Sequence, residues 1–223
     1  MAPELHGCVT VQIQIGQGIV EPMHTNTFAG RQTAVNGKLR LLSLYVDFAA
    51  SAHAKWATCA ITKQAGPRWQ TYAEMWKLNA LAVSEPIRKM ITGDAADADV
   101  LIIAASSLDQ REPKLIEWLE SLAAWKANRP VPGLLIGLFG DEENRSRELE
   151  WTIQQFIYCA RQMDRELVMQ WMERDSMIDS NRFNEGVEAL LARKQSASGE
   201  ALQRETTVED GSNLNAERLV EAK

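Results

Sequence analysis

The chain has 223 residues, 45% of them apolar and 24% charged, with a formal net charge of −6. That length allows one domain with tails, or two at most, and the composition is that of an ordinary globular protein. The acidic balance, with no basic run to offset it, argues against a nucleic-acid or anionic-membrane surface.

Residues 1–37 read as an N-terminal arm. Val9-Thr10-Val11-Gln12-Ile13-Gln14-Ile15 alternates apolar and polar side chains, the pattern of a half-buried strand. Pro22, Asn26, Gly30, Asn36 and Gly37 then break regular structure. The strand is an accessory edge strand, an arm that pairs with a partner, or one apolar segment in a chain without fixed structure. Gly16-Gln17-Gly18 lacks the third glycine of a dinucleotide loop, and no long apolar-periodic helix follows it.

A first strand is expected over Leu39–Val46 and a helix over Ala49–Lys63. Ala52, Trp56, Cys59 and Ala60 share one face of that helix, and Gly66-Pro67 ends it. Trp69–Leu78 alternates, as an edge strand does. Ser84-Glu85-Pro86 opens a second helix with a capping side chain and an early proline. The acidic lead Asp97-Ala98-Asp99 then runs into Val100–Ala105, six apolar residues without alternation. Such a run fits a strand covered on both faces of a parallel sheet. A third helix is expected over Pro113–Ala127, a fourth strand over Gly133–Phe139 and a fourth helix over Glu142–Met163. A fifth strand spans Leu167–Met172. Residues 181–223 read as a polar tail, with one short helix over Phe183–Lys194 and a disordered composition beyond it.

Strand and helix therefore alternate five times over residues 38–180. The expected fold is α/β, a three-layer doubly wound sandwich around a five-stranded parallel sheet of order 2-1-3-4-5. No run approaches the ~18 apolar residues of a membrane span. The N-terminus shows no basic stretch followed by a long apolar one, so a cytoplasmic protein is expected. Cys8, Cys59 and Cys159 lie far apart and are expected to be small thiols of a reducing compartment, with Cys59 and Cys159 on apolar helix faces.

Open parallel sheets bind ligands at the carboxyl ends of their strands, where the strand order reverses. With this order, the crevice there is lined by Asp47 and Ser51 after the first strand. Ser106, Ser107 and Asp109 follow the third strand, and Asp141 follows the fourth. Carboxylates gathered there suit oxygen-liganded Mg²⁺, yet side chains of this kind also cap helices. His53 is the one histidine within the domain, and no nucleophile elbow or phosphate-loop lysine accompanies it. The seven tryptophans do not sit among basic residues, as base stacking would require. An exposed Trp118 or Trp125 would mark a protein contact.

The domain resembles response-regulator receivers and flavodoxins. As those families are known, a phosphorylatable receiver carries an acidic pair after the first strand and an accepting Asp after the third. It also carries a hydroxyl after the fourth strand and a Lys after the fifth. Here Asp47 stands alone, Ser106 and Ser107 occupy the acceptor position, and Gly140-Asp141 replaces the hydroxyl. No Lys directly follows Leu167–Met172. The resemblance thus implies a receiver-like domain without the phosphorylation machinery. A flavodoxin's flavin-phosphate loop is rich in Thr, Ser and Gly, whereas Phe48-Ala49-Ala50-Ser51-Ala52 has one hydroxyl and no glycine. Leu44-Tyr45-Val46-Asp47-Phe48-Ala49, the Trp76 strand and Asp97–Ile102 are also similar to a family of bacterial α/β proteins with no assigned activity. That resemblance covers about residues 38–172.

Two functions follow as expectations. The first is a non-enzymatic, receiver-like regulatory domain that binds a protein partner or itself. The second is a small ligand- or Mg²⁺-dependent enzyme with its site at the carboxyl ends of the first, third and fourth strands. The sequence names no cofactor.

Overall fold

The computed structural model describes residues 37–105, 113–125, 131–140, 147–171 and 181–198. The elements are β1 (Gly37–Tyr45), α1 (Phe48–Ala65), β2 (Trp69–Lys77), α2 (Glu85–Asp97), β3 (Val100–Ala105), α3 (Pro113–Ala124), β4 (Gly133–Phe139), α4 (Arg147–Gln162), β5 (Arg165–Trp171) and α5 (181–198). All neighbouring strands pair in parallel, in the order β2-β1-β3-β4-β5. This is the expected architecture.

The unbroken apolar runs are the central strands. Every residue of β3 and of β4 is buried. A parallel sheet wrapped on both faces leaves no position for a polar side chain, which is why these runs do not alternate. Alternate side chains feed two cores. Leu42, Leu44, Leu101, Ile103 and Leu135 join α2, α3 and α4 on one face. Leu41, Val100, Ile102, Leu134 and Ile136 join α1 and α5 on the other. Gly137 lets two large neighbours close over β4: a Cβ there would lie 2.5 Å from the Phe139 ring and 2.9 Å from the Met169 sulfur.

Local signals set the helix ends. Ser84 Oγ accepts the Ile87 N–H at 3.4 Å and caps α2. Gly66, at φ 67°, turns the chain out of α1 in a conformation that a side chain disfavours. Thr92 sits inside α2, where its hydroxyl accepts the indole N–H of buried Trp118 at 2.9 Å and joins α2 to α3.

Two expectations need correction. The buried face of α1 is Ala50, Ala54, Ala57, Thr58, Ile61 and Ala65. The stripe expected from Ala52, Trp56, Cys59 and Ala60 lies on its flank, with Ala52 exposed. The helix is alanine-rich on several faces, so periodicity alone does not choose among them. The smallest side chains face the sheet and let the helix lie close to it. The domain boundary at residue 180 also moves. The helix expected over Phe183–Lys194 is present, but it belongs to the core. Phe183, Val187 and Leu190 recur one and two turns apart and are at most 1% exposed. Trp56 of α1 lies beside the Phe183 ring, with centroids 6.3 Å apart. Residues 1–36 and 199–223, the rest of the expected arm and tail, lie outside the described residues.

Candidate functional site

At the carboxyl edge, β1 ends at Tyr45 and the ladder continues one step, with Val46 N–H bound to the Ala104 carbonyl at 3.0 Å. The chain then turns through Asp47, whose extended backbone (φ −137°, ψ 178°) suits an N-cap. Its Oδ1 accepts the Ala50 N–H at 2.9 Å. Ser51 Oγ donates to the Phe48 carbonyl at 2.6 Å. His53 Nδ1 lies 2.9 Å from the Ala49 carbonyl, which requires the proton on Nδ1. The polar side chains after β1 are thus turned onto the first turns of α1 itself. Phe48 faces outward, 90% exposed.

Gly140 N–H binds the Ala105 carbonyl at 3.0 Å, so the ends of β3 and β4 meet beside this turn. Asp47 and Ser51 lie at the carboxyl end of β1, at the start of α1. Ser106, Ser107, Asp109 and Asp141 lie outside the described residues. Among the described residues, no three His, Cys, Asp or Glu side chains converge as a metal site would.

The amino edge holds two features that sequence reasoning missed. The first is a groove of about 290 Å³ lined by Lys38, Arg40, Leu41, Leu42, Tyr72, Glu74, Asp94 and Ala98. Arg40 pairs with Tyr72 across the ladder and Leu42 with Glu74, so the polar members of β1 and β2 share one face beside α2. Burial raises the Asp94 pKa, the negative charges of Glu74 and Asp97 add to this, and Arg40 opposes it. The signal was available as Lys38 and Arg40 two apart at the start of an otherwise apolar strand.

The second is a knot around Asp99, just before β3. Its Oδ2 accepts the Arg40 N–H at 2.8 Å, and its Oδ1 meets Lys194 Nζ of α5 at 2.5 Å. Arg165, 6% exposed, donates to the Ala95 and Ala98 carbonyls at 2.7 and 2.9 Å. Its charge lies at the negative end of the α2 dipole. These groups join five elements, which is the work of a structural anchor.

Parallel strands in the order 2-1-3-4-5 with helices on both faces decide the class. The fold is flavodoxin-like. A flavodoxin from Streptococcus pneumoniae TIGR4 is similar to 71% of this chain and 98% of its own, at 10% identity and TM-score 0.42. A short-chain flavodoxin associated with a non-canonical PDU bacterial microcompartment matches 70% of this chain and 99% of its own, at 12% identity and TM-score 0.47. An oxidoreductase from Corynebacterium diphtheriae matches 73% and 98%, at 12% identity and TM-score 0.47. No family model matches the chain, and no curated protein does. No helix among the described residues is long and apolar enough to cross a membrane.

Proposed function

We propose that the chain is a non-enzymatic, receiver-like regulatory domain of the cytoplasm that works by binding protein, with a second copy of itself as the first partner to test. The observation that carries this reading is the outer face of α4. Trp151 and Tyr158 stand two turns apart on it, 47% and 54% exposed. Trp125, at the end of neighbouring α3, is 51% exposed. Large aromatics facing water are costly, and Trp and Tyr are the side chains most often found at the energetic centres of protein interfaces. The carboxyl edge supports the same reading, because Asp47 and Ser51 are engaged with the backbone of α1 while Phe48 faces outward.

Sedimentation of the full chain across a concentration series tests the proposal. Self-association is expected, and Trp151→Ser with Tyr158→Ser is expected to weaken it about tenfold or more. A protein that stays monomeric at all concentrations would remove self-association. The enzyme reading makes a different prediction. Mg²⁺, a flavin or a nucleotide at a hundred times its dissociation constant would add ~2.7 kcal/mol of stability, and Asp47→Asn would abolish the gain. Such a ligand response would overturn the non-enzymatic reading in favour of a site at Asp47, Ser51, Ser106, Ser107, Asp109 and Asp141.

A further inference from the structure

β2 is the last strand on its side of the sheet. It pairs with β1 along its whole length, from Gly37↔Trp69 to Tyr45↔Lys77, without a bulge. Its other edge meets no strand among the described residues. That edge is long, contains no proline and carries only two charged residues, Glu74 and Lys77. Edge strands are usually blunted by such features or covered.

The two faces of β2 differ. Trp69, Ala73 and Met75 belong to the α1-side core but keep 8–9% exposure, where Leu41, Val100, Ile102 and Leu134 of the same core keep 0–2%. Thr71 Oγ1 on β2 is buried with no hydrogen-bond partner among the described residues. On the opposite face, Tyr72 and Glu74 line the polar groove beside α2. An added strand would therefore need one apolar and one polar face.

The chain carries such a segment outside the described residues. In Val9–Ile15, Val9, Val11, Ile13 and Ile15 alternate with Thr10, Gln12 and Gln14. Its tether is anchored at the right place, because the chain enters the sheet at Gly37, opposite Trp69 at the start of β2. Residues 16–36 span roughly 70 Å when extended, against roughly 30 Å for β2. Length therefore does not restrict where the segment lies along the edge.

We propose that residues 9–15 of the same chain add to the outer edge of β2 as a sixth strand. Their apolar side chains cover Ala73 and Met75 on the α1 side, and Thr10, Gln12 and Gln14 lie on the groove side. Main-chain hydrogen bonds hold the strand, and the two-residue alternation selects which face is inward. This inference stands apart from the α4 interface and does not depend on it.

Backbone hydrogen exchange on the full chain tests the proposal, with Ile13→Lys compared against Gln12→Lys. The two variants add the same charge to the same segment on opposite faces. In the wild type, residues 9–15 and the outward amides of 69–77 are expected to be protected together. Ile13→Lys is expected to speed exchange in both segments about tenfold or more, while Gln12→Lys leaves them near wild type. Exchange of residues 9–15 at the rate of an unstructured chain would overturn the proposal, as would a β2 edge indifferent to Ile13→Lys. Protection that fades on dilution would overturn the same-chain assignment and give the edge to the arm of a second copy.

Discussion

Replacing Asp99 by Asn should detach α5 from the amino edge of the sheet at a predictable cost. The side chains of Asp99 and Lys194 are 10% and 14% exposed, and their charged atoms are 2.5 Å apart. Asn keeps an oxygen for the Arg40 N–H and so removes only the charged half of the contact. Hydrogen bonds to charged groups contribute about 1.5–3 kcal/mol, and a mostly buried ammonium left without its carboxylate puts the loss towards the upper end. For a domain of this size the melting temperature should fall by about 5–10 °C. Lys194→Met retains most of the aliphatic stem while removing the ammonium, so it should cost less than Asp99→Asn. Urea unfolding followed by tryptophan fluorescence, on both single variants and the double, isolates the pair. The coupling energy should be about 1.5–3 kcal/mol. A coupling below about 0.5 kcal/mol would refute the reasoning and mean that the last turns of α5 do not hold the sheet.

Asp47→Ala should destabilise the domain by about 0.5–2 kcal/mol through loss of the α1 cap, whether or not Mg²⁺ is present, while Asp47→Asn, itself a good cap, stays close to wild type. Chemical denaturation with and without the ion checks both. Asp94→Asn should raise the melting temperature at pH 7 and not at pH 3. The folded state holds the Asp94 proton to a higher pH than the unfolded state does, so the ionised carboxylate weakens the fold once pH passes its raised pKa. Burial, with Glu120 nearby, pushes the Cys159 thiol up to about 11. It should resist alkylation at pH 8 until urea is added, as peptide mapping would show. Its contribution to stability should be present below about pH 9 and lost as pH rises towards 11.

The sheet was legible because its physics is local and repetitive. Val100–Ala105 and Gly133–Phe139 can bury every side chain only between two layers of helices, and the alternation of Trp69–Lys77 is the mark of an edge. The turns were legible for the same reason: Ser84 and Gly66 act on their own neighbours. What escaped depends on contacts far along the chain. The face that α1 buries is chosen by the sheet it meets, not by its own alanine-rich sequence. Phe183, Val187 and Leu190 are sparse among polar residues, and the partners Val168 and Asp99 that give the helix its place lie in other elements. Asp47 follows β1, and its hydrogen bond to the Ala50 N–H is the helix-capping alternative that residues of its kind offer at a helix start. The groove at the opposite edge needed the β1/β2 register before Arg40 could be set beside Tyr72.

The late position of α5 has a consequence for biosynthesis. The α1-side core includes Leu134 of β4 and Val168 of β5, yet it closes only over Phe183, Val187 and Leu190, which are made after the last strand. At ~5–20 residues per second, a ribosome needs about one to four seconds to pass from β5 to Leu190. Through that interval α1 is the only cover on this face, and the part around Leu134 and Val168 that α5 closes stays open. Chaperone capture and premature association therefore compete with folding at this point of synthesis, and a premature stop codon before residue 183 would leave that part of the face open permanently.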